Sequence, residues 1–178
     1  HAIRRFLEAA GHPTPDRGRG RVSLTERLES AAMAMVASAW PDFVAVHMTW
    51  GAINEITALT AYQLLAERAG HPVLSELLAR IGRDEARHFA FYYKQAERRL
   101  ARPGAARVTR FLVDRFWAPV GAGVRPFDDM RFIAGHLFAD AEGRAAARRI
   151  DGMIRKLPGF ADVALVEAWV DRHVGIAP

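Results

Sequence analysis

The chain has 178 residues, a length that suits one hydrophobic core, and we interpret residues 1–178 as a single domain. Its 25 basic residues exceed its 20 acidic ones, which gives a net charge of +5, and the sequence contains no cysteine. Without cysteine there are no disulfides, Fe–S clusters or thiolate metal sites, so any metal must bind nitrogen and oxygen ligands. No apolar run reaches the roughly 18 residues of a membrane span, no signal peptide is visible and no nucleic-acid-binding motif occurs. We therefore expect a cytoplasmic protein that binds neither membranes nor nucleic acid.

Helical patterns cover most of the chain, and no segment alternates apolar and polar residues as a strand would. A capping box at Ser23 and Glu26 predicts a helix start at Leu24, and Gly70 followed by Pro72 predicts a tight turn between two long helices. The predicted helices span residues 1–10, 24–40, 43–69, 72–101, 105–117, 127–157 and 160–173. Long helices joined by short loops are typical of an up-down bundle, so the predicted fold class is all-α. The first helix has no N-cap, and we expect further residues upstream of it.

Glu55 stands on the apolar face of its predicted helix. Its neighbours at helical spacing are apolar, aromatic or small: Met48, Gly51, Ala52, Ala58, Leu59 and Tyr62. If this stripe packs into the core, the carboxylate is turned inward with it. An unpaired buried carboxylate costs several kcal/mol, so this position needs a partner that compensates its charge.

Glu85 and His88 stand in the same way on the next helix. Their apolar neighbours on that face are Leu78, Ile81, Gly82, Phe89, Phe91 and Tyr92. The connecting turn lies 15 residues after Glu55 and 15 before Glu85, so antiparallel helices place the two carboxylates at the same height. Carboxylate oxygens with an imidazole nitrogen suit iron or manganese. A Glu from one helix and a Glu-x-x-His from its neighbour is half of the di-iron pattern of helical bundles.

Two other interpretations of these residues stay open. A Glu-x-x-His spacing is common by chance on helices, and a buried Glu–His pair can be held by a hydrogen bond alone. The metal interpretation is favoured because three ligand side chains stand on apolar stripes at matched height across one hairpin.

Residues 50–93, WGAINEITALTAYQLLAERAGHPVLSELLARIGRDEARHFAFYY, resemble the second helix pair of soluble acyl-carrier-protein desaturases. The similarity centres on DEARH at 84–88, which is similar to the family's D-E-x-R-H motif, with NE at 54–55 in place of its upstream glutamate. A looser similarity in layout extends over most of the chain. The resemblance implies a ferritin-like up-down helical bundle with extra C-terminal helices. It also implies a centre of two iron ions that activates O₂ and a ferredoxin-like electron donor.

The resemblance assigns roles by position. Glu55, Glu85 and His88 would be iron ligands. Asp84 would fix the tautomer of a ligand histidine from the other helix pair, and Arg87 would be a structural ion-pair partner. The remaining ligands, a Glu and a Glu-x-x-His, would lie just upstream of the first residue.

The candidate pocket departs from the family pattern. The family places a threonine near the O₂ pocket three residues after the ligand glutamate, where this chain has Ala58, and Thr57 lies one residue earlier. Tyr62 and Tyr92 come close to the ligands by spacing, so we include both among the candidate pocket residues. The O₂ pocket is therefore expected to differ, and related di-iron proteins instead oxygenate amines, hydroxylate, or oxidise and store iron.

The predicted function is that of a non-haem di-iron oxidase. It would act on an acyl chain held by acyl-carrier protein or on another small apolar substrate, with manganese as the alternative metal. A ferritin-like iron-binding protein, a di-iron N-oxygenase and a metal-free helical scaffold are the alternatives. The other ligands are expected to lie upstream of the first residue. A homodimer in which each copy supplies three ligands is the less favoured alternative.

Overall fold

The computed structural model describes residues 2–12, 40, 42–119 and 126–174, and within these ranges its regular structure is entirely α-helical. The helices described there are α1 Ala2–Ala9, α2 Phe43–Ala69, α3 Pro72–Leu100, α4 Pro103–Phe116, α5 Phe127–Phe138, α6 Ala141–Ile154 and α7 Leu165–His173. The all-α bundle predicted from the sequence is confirmed. The helix predicted over 24–40 falls almost wholly outside the described residues. No helix in the described part of the chain is both long and apolar enough to cross a membrane.

Helices α2 and α3 form an antiparallel hairpin, which is the most extensive helix pair of the described structure. Gly70 ends α2 in the left-handed conformation with a φ of 57°, which glycine adopts without steric cost. The His71 ring accepts a hydrogen bond from the Leu74 N–H at 3.4 Å, and Pro72 occupies the first turn of α3, where an N–H is not needed. A connection this short forces the two helices to lie side by side, as the sequence predicts.

A second side of α2 builds the main hydrophobic core with α4, α5 and α6. Fully buried side chains there include Ile53 on α2, Leu100 at the end of α3, Ile150 on α6 and Phe160 beyond it. Burying each such side chain contributes about 1.5–3 kcal/mol to folding. This core fixes α2 in place, and α3 is held in turn by its long contact with α2.

The prediction of a single helix over residues 127–157 is wrong, because the structure has two helices there, α5 and α6. The Asp140 carboxylate accepts a hydrogen bond from the Gly143 N–H at 2.8 Å and so caps the start of α6. Arg68, in the last turn of α2, donates to two carbonyl oxygens at the end of α5 and pairs with Asp140. The break is therefore stabilised by a side chain from another helix, which a local pattern does not reveal.

The last helix begins at Leu165, and the predicted start at Phe160 is wrong. Asp151, fully buried on α6, accepts hydrogen bonds from the backbone N–H groups of Val166 at 3.1 Å and Glu167 at 3.0 Å. These N–H groups belong to the first turn of α7, where they have no partner within the helix. The start of α7 is thus set by a carboxylate on α6.

Candidate metal centre

Glu55 on α2 meets Glu85 and His88 of α3 in the middle of the hairpin. The Nδ1 atom of His88 lies 3.2 Å from Oε2 of Glu85 and 3.7 Å from Oε2 of Glu55. One ligand atom from each of the three residues lies within 4.8 Å of the other two. The structure therefore brings together the three residues that the sequence nominates as metal ligands, and we call them the Glu–Glu–His cluster.

Helix geometry explains why these side chains converge. Glu85 and His88 are three residues apart, so they lie one above the other on the same face of α3. Glu55 stands at their height because the hairpin turn is equally distant from both carboxylates along the chain. One turn before Glu55, Gly51 has no side chain, and the Tyr92 ring packs against its backbone.

The cluster lies at the edge of the described bundle and not in its centre. The side chains of Glu55 and Glu85 are 22% and 19% exposed, whereas that of His88 is 58% exposed. The expectation that this face of α3 turns wholly into the core is therefore wrong for His88. Within the described residues, α3 packs mainly against α2 and has lesser contacts with α4 and α1, which leaves its other side uncovered.

The two carboxyl groups influence each other strongly. Burial, then a hydrogen bond shared with Glu85 and repulsion from its charge, raises the pKa of Glu55 from its ordinary 4.5 to about 7, although His88 acts in the opposite direction. Burial, and then the charges of Glu85 and Glu55, also raise the pKa of the Tyr62 phenol. At neutral pH and without a metal, Glu55 therefore holds a proton for part of the time.

The chemistry of the cluster fits a divalent metal ion. Two carboxylates and an imidazole are the oxygen and nitrogen donors that iron and manganese accept. A cation between the carboxylates would replace the proton that now relieves their repulsion. The exposed side of His88 leaves space for further ligands, which a metal held by three side chains would need.

Asp84 and Arg87 form an ion pair on the outer side of α3. Nη1 of Arg87 lies 3.2 Å from Oδ1 of Asp84, and both side chains are exposed. Arg87 thus takes part in an ion pair, with Asp84 as its partner. The role expected of Asp84, which is to fix a ligand histidine from another helix pair, stays a prediction.

Thr57 and Ala58 line an apolar cavity of about 120 Å³ on the side of α2 that faces α5 and α7. The wall opposite them includes Trp117, Met130 and other apolar side chains. The Thr57 hydroxyl donates to the Ile53 carbonyl oxygen at 2.7 Å, so its polarity is satisfied within α2 and the wall stays apolar. The cavity begins two residues after the ligand candidate Glu55.

Tyr62 and Tyr92 lie away from this cavity. Tyr62 lines a groove of about 440 Å³ between α2 and α3, whose lining includes none of the three residues of the cluster. Tyr92 packs against Gly51, and its ring meets the His47 ring edge-on. The candidate pocket residues therefore do not line one common cavity in the described structure, because a helix presents residues at these spacings on different sides, and their role stays a prediction.

Sequence reasoning misses one polar contact beside the cluster. The indole Nε1 of Trp117 donates to Oδ1 of Asn54 at 3.1 Å. Trp117 belongs to the cavity wall and Asn54 precedes Glu55, so this hydrogen bond links the cavity to the helix that carries the cluster. A polar amide next to core residues such as Ile53 and Ile56 is the signal that points to such a partner.

No protein-family model, curated protein or solved structure matches the chain. A relationship to ferritin-like di-iron proteins therefore depends on the DEARH motif and on the geometry of the Glu–Glu–His cluster.

Proposed function

We propose that the chain is part of a ferritin-like, non-haem di-iron oxidase similar to the acyl-carrier-protein desaturases. The observation that carries the proposal is the convergence of the Glu–Glu–His cluster, whose ligand atoms come from two helices and lie within 4.8 Å of one another. Two adjacent, partly buried carboxylates repel each other and weaken the fold unless something compensates them. A metal ion provides that compensation and turns the same arrangement into a stabilising one.

Glu55, Glu85 and His88 would hold the iron. When bound, the iron pair supplies the activation of O₂ and the oxidising power. The chain's own contribution is to aim its ligands before the metal arrives. The 3.2 Å contact between Glu85 and the Nδ1 atom of His88 orients the imidazole toward both carboxylates. Manganese is the alternative metal, because the same ligands accept it.

The cavity between α2, α5 and α7 supports the proposal that the substrate is apolar. Its lining is almost entirely hydrocarbon, so it favours an acyl chain or a similar molecule and disfavours water. Trp117 ties this wall to Asn54 through its indole hydrogen bond, which holds the cavity in a fixed position relative to the ligands on α2. The role that we assign to these residues is to position the substrate beside the metal centre.

The positive net charge of the chain supports the proposal that its protein partners are acidic. Its net charge of +5 favours encounters with negatively charged proteins. An acyl-carrier protein that presents the substrate and a ferredoxin-like electron donor are the partners that we propose.

Metal binding is the first test of this function. The purified chain is titrated anaerobically with Fe(II), and separately with Mn(II), and bound metal is measured after gel filtration. Glu55→Gln, Glu85→Gln and His88→Asn are expected to lose the metal while their circular dichroism is unchanged. Glu76→Gln is the matched control, because Glu76 is an exposed carboxylate on α3 that pairs with Arg80 away from the cluster. Equal metal binding by all four variants would contradict the proposal.

Oxygen consumption then separates an oxidase from an iron-storage protein. The iron-loaded protein is supplied with a reductant and O₂, with and without an acyl-carrier substrate. We expect consumption to rise when the substrate is present. Consumption that depends only on added iron would favour the ferritin-like alternative, and a chain that binds no metal would favour the metal-free scaffold.

A further inference from the structure

The excess positive charge of the chain lies in one short stretch. Residues 98–116, which form the end of α3, the connection after it and the whole of α4, contain six of the 25 basic residues but only one acidic residue, Asp114. The net charge of this stretch is therefore +5, equal to that of the whole chain, and the other residues contain 19 basic and 19 acidic side chains. Positive charge concentrated in this way directs an acidic partner to one region of the surface.

Some arginines of this stretch are paired within the chain and others are not. Arg102 and Arg110 form ion pairs with carboxylates of other segments. Arg107 and Arg115 have no carboxylate within 4.0 Å in the part of the chain that the structure describes. The guanidinium carbon of Arg115 instead lies 5.7 Å from the centre of the Phe116 ring. Arg107 and Arg115 can therefore pair with carboxylates of another protein.

These two arginines flank an exposed aromatic ring on one face of α4, which we call the basic face. Arg107, Phe111 and Arg115 are each four residues apart, so they lie one above the other along the helix. All three are exposed among the described residues, and Phe111 is 65% exposed. An aromatic ring between arginines is a composition typical of the centre of a protein–protein interface.

A groove beside the basic face can receive an apolar side chain. It has a volume of about 540 Å³, runs between α4 and the turn after α6, and is lined mainly by apolar residues, with Arg107 and Phe111 on its α4 side. The turn comes close to α4 because Gly159 has no side chain, and a Cβ atom there would lie 2.9 Å from that of Ala106. A pocket of this kind next to unpaired charges offers both an apolar anchor and electrostatic selection.

We propose that the basic face docks the acidic carrier protein that presents the acyl substrate. The inference rests on the proposed function, which includes such a partner. Because Arg107, Phe111 and Arg115 are spaced by four residues, the matching surface is a helix with a carboxylate four residues before an apolar residue and another four residues after it. Its carboxylates pair with the two arginines, and its apolar side chain packs against Phe111 in the groove.

The position of α4 favours a substrate carrier over an electron donor. Trp117 comes two residues after Arg115 and lines the apolar cavity, as does Pro119. A carrier docked on the basic face therefore holds its flexible acyl arm beside that cavity. The Glu–Glu–His cluster lies instead where α2 meets α3, so an electron donor would need to approach from another side.

Charge reversal on the basic face tests the inference. Binding of fluorescently labelled octanoyl acyl-carrier protein to the 178-residue chain is measured by anisotropy at low salt. Arg107→Glu and Arg115→Glu should each weaken the affinity by about tenfold or more, because each places like charges opposite each other. Arg5→Glu is the matched control and should bind as the parent does. It makes the same change of charge at an exposed position of α1, which contacts α3 at its start, about 40 Å along that helix from the beginning of α4.

Two further measurements separate docking from a general effect of charge. Phe111→Ala should weaken carrier binding by about fivefold or more, whereas Phe132→Ala, which removes a 77% exposed ring from α5, should not. Raising the ionic strength from about 0.05 M to about 0.3 M should weaken binding to the parent by about tenfold and binding to Arg107→Glu much less. Circular dichroism of each variant checks that the fold is retained.

The outcomes distinguish this inference from the proposed function. Equal carrier affinity in the parent, Arg107→Glu and Phe111→Ala would overturn the inference, and so would a parent chain that does not bind the carrier at low salt. Weaker binding of a ferredoxin by the same variants, with carrier binding unchanged, would assign the basic face to the electron donor and overturn it as well. Metal titration of the same variants is independent, since none of them alters the cluster. Docking without metal binding would therefore overturn the proposed function and leave the basic face standing.

Discussion

The ring of Tyr92 on α3 lies directly against the backbone of Gly51 on α2. A Cβ atom at position 51 would come within 2.6 to 2.9 Å of three ring atoms. The ring also meets those of His47 and Phe91 edge-on, so it cannot turn away without losing these contacts. Because Gly51 is one turn before Glu55, this contact sets the distance between the helices where the cluster lies.

Gly51→Ala is expected to destabilise the protein and weaken metal binding. Replacing a helical glycine by alanine normally stabilises a helix by up to about 1 kcal/mol. The added methyl group would instead force α2 and α3 apart or displace the ring, and such overpacking costs about 1–3 kcal/mol. We expect a net loss of about 1 kcal/mol in the free energy of unfolding, measured by urea titration with tryptophan fluorescence.

The control for this prediction is Gly152→Ala on α6, where no atom lies within 4 Å of the added Cβ. This variant should be as stable as the parent or slightly more stable, because only the helix propensity changes. If Gly51→Ala were to behave like Gly152→Ala, the close approach of the two helices would not limit the stability of the hairpin.

The stability of the metal-free protein is expected to depend on pH through Glu55. The pKa of Glu55 is raised to about 7 in the folded protein and returns to its ordinary 4.5 in the unfolded chain. Between these values the folded state binds more protons than the unfolded state, so the free energy of unfolding falls as the pH rises through this window. Melting temperatures from about pH 5 to about pH 8 should therefore fall more for the parent than for Glu55→Gln, which carries no charge there. Parallel curves for the two proteins would contradict the raised pKa of Glu55.

Filling the apolar cavity should weaken ligand binding without affecting the metal. Ala134 on α5 is 7% exposed and lines the cavity, away from the Glu–Glu–His cluster. Ala134→Leu places three more carbon atoms in this space, so the affinity for a fluorescent acyl probe should fall by about tenfold or more. Bound metal, measured in the same samples, should not change. Ala161→Leu, at an exposed turn, is the control, and equal probe affinity in both variants would indicate that the probe binds elsewhere.

The helices that the sequence predicts well are those whose ends are encoded locally. Gly70 and Pro72 end one helix and begin the next, and the observed bounds of α2 and α3 agree with the prediction within one residue. The break between α5 and α6 has no proline or glycine at its centre and is stabilised by Arg68 from α2. The start of α7 likewise depends on Asp151 from α6. Such ends are tertiary contacts, which periodicity cannot indicate.

The candidate site also has features that the local sequence predicts and features that depend on tertiary contacts. The meeting of Glu55 with Glu85 and His88 follows from helix periodicity and from the position of one turn, and the structure shows it. The exposure of His88 does not follow, because a local pattern cannot tell which apolar stripe is covered by another helix. The separation of Thr57 from Tyr62 also needs the positions of α5 and α7, which decide where a cavity forms.

Asp151 is the fully buried carboxylate that joins the last two described helices. Burial raises its pKa, while the N–H groups of Val166 and Glu167 stabilise its charged form and act against that shift. Both N–H groups lie at the start of α7, whose Trp169 and Val170 form part of the apolar cavity wall. The position of that wall therefore depends on one hydrogen-bonding side chain.

Replacing Asp151 should destabilise the protein in a graded order. Asp151→Ala leaves both backbone N–H groups without an acceptor and is expected to cost about 2–3 kcal/mol. Asp151→Asn keeps one carbonyl oxygen and is expected to cost about half as much. Urea titration gives the free energies, and the fluorescence of the acyl probe reports on the cavity wall. Asp162→Ala is the control, because Asp162 is an exposed carboxylate that pairs with Arg110 and surface pairs contribute at most about 1 kcal/mol. If Asp151→Ala proved no more damaging than Asp162→Ala, α7 would be positioned by its apolar contacts alone, and the buried carboxylate would not determine where the helix begins.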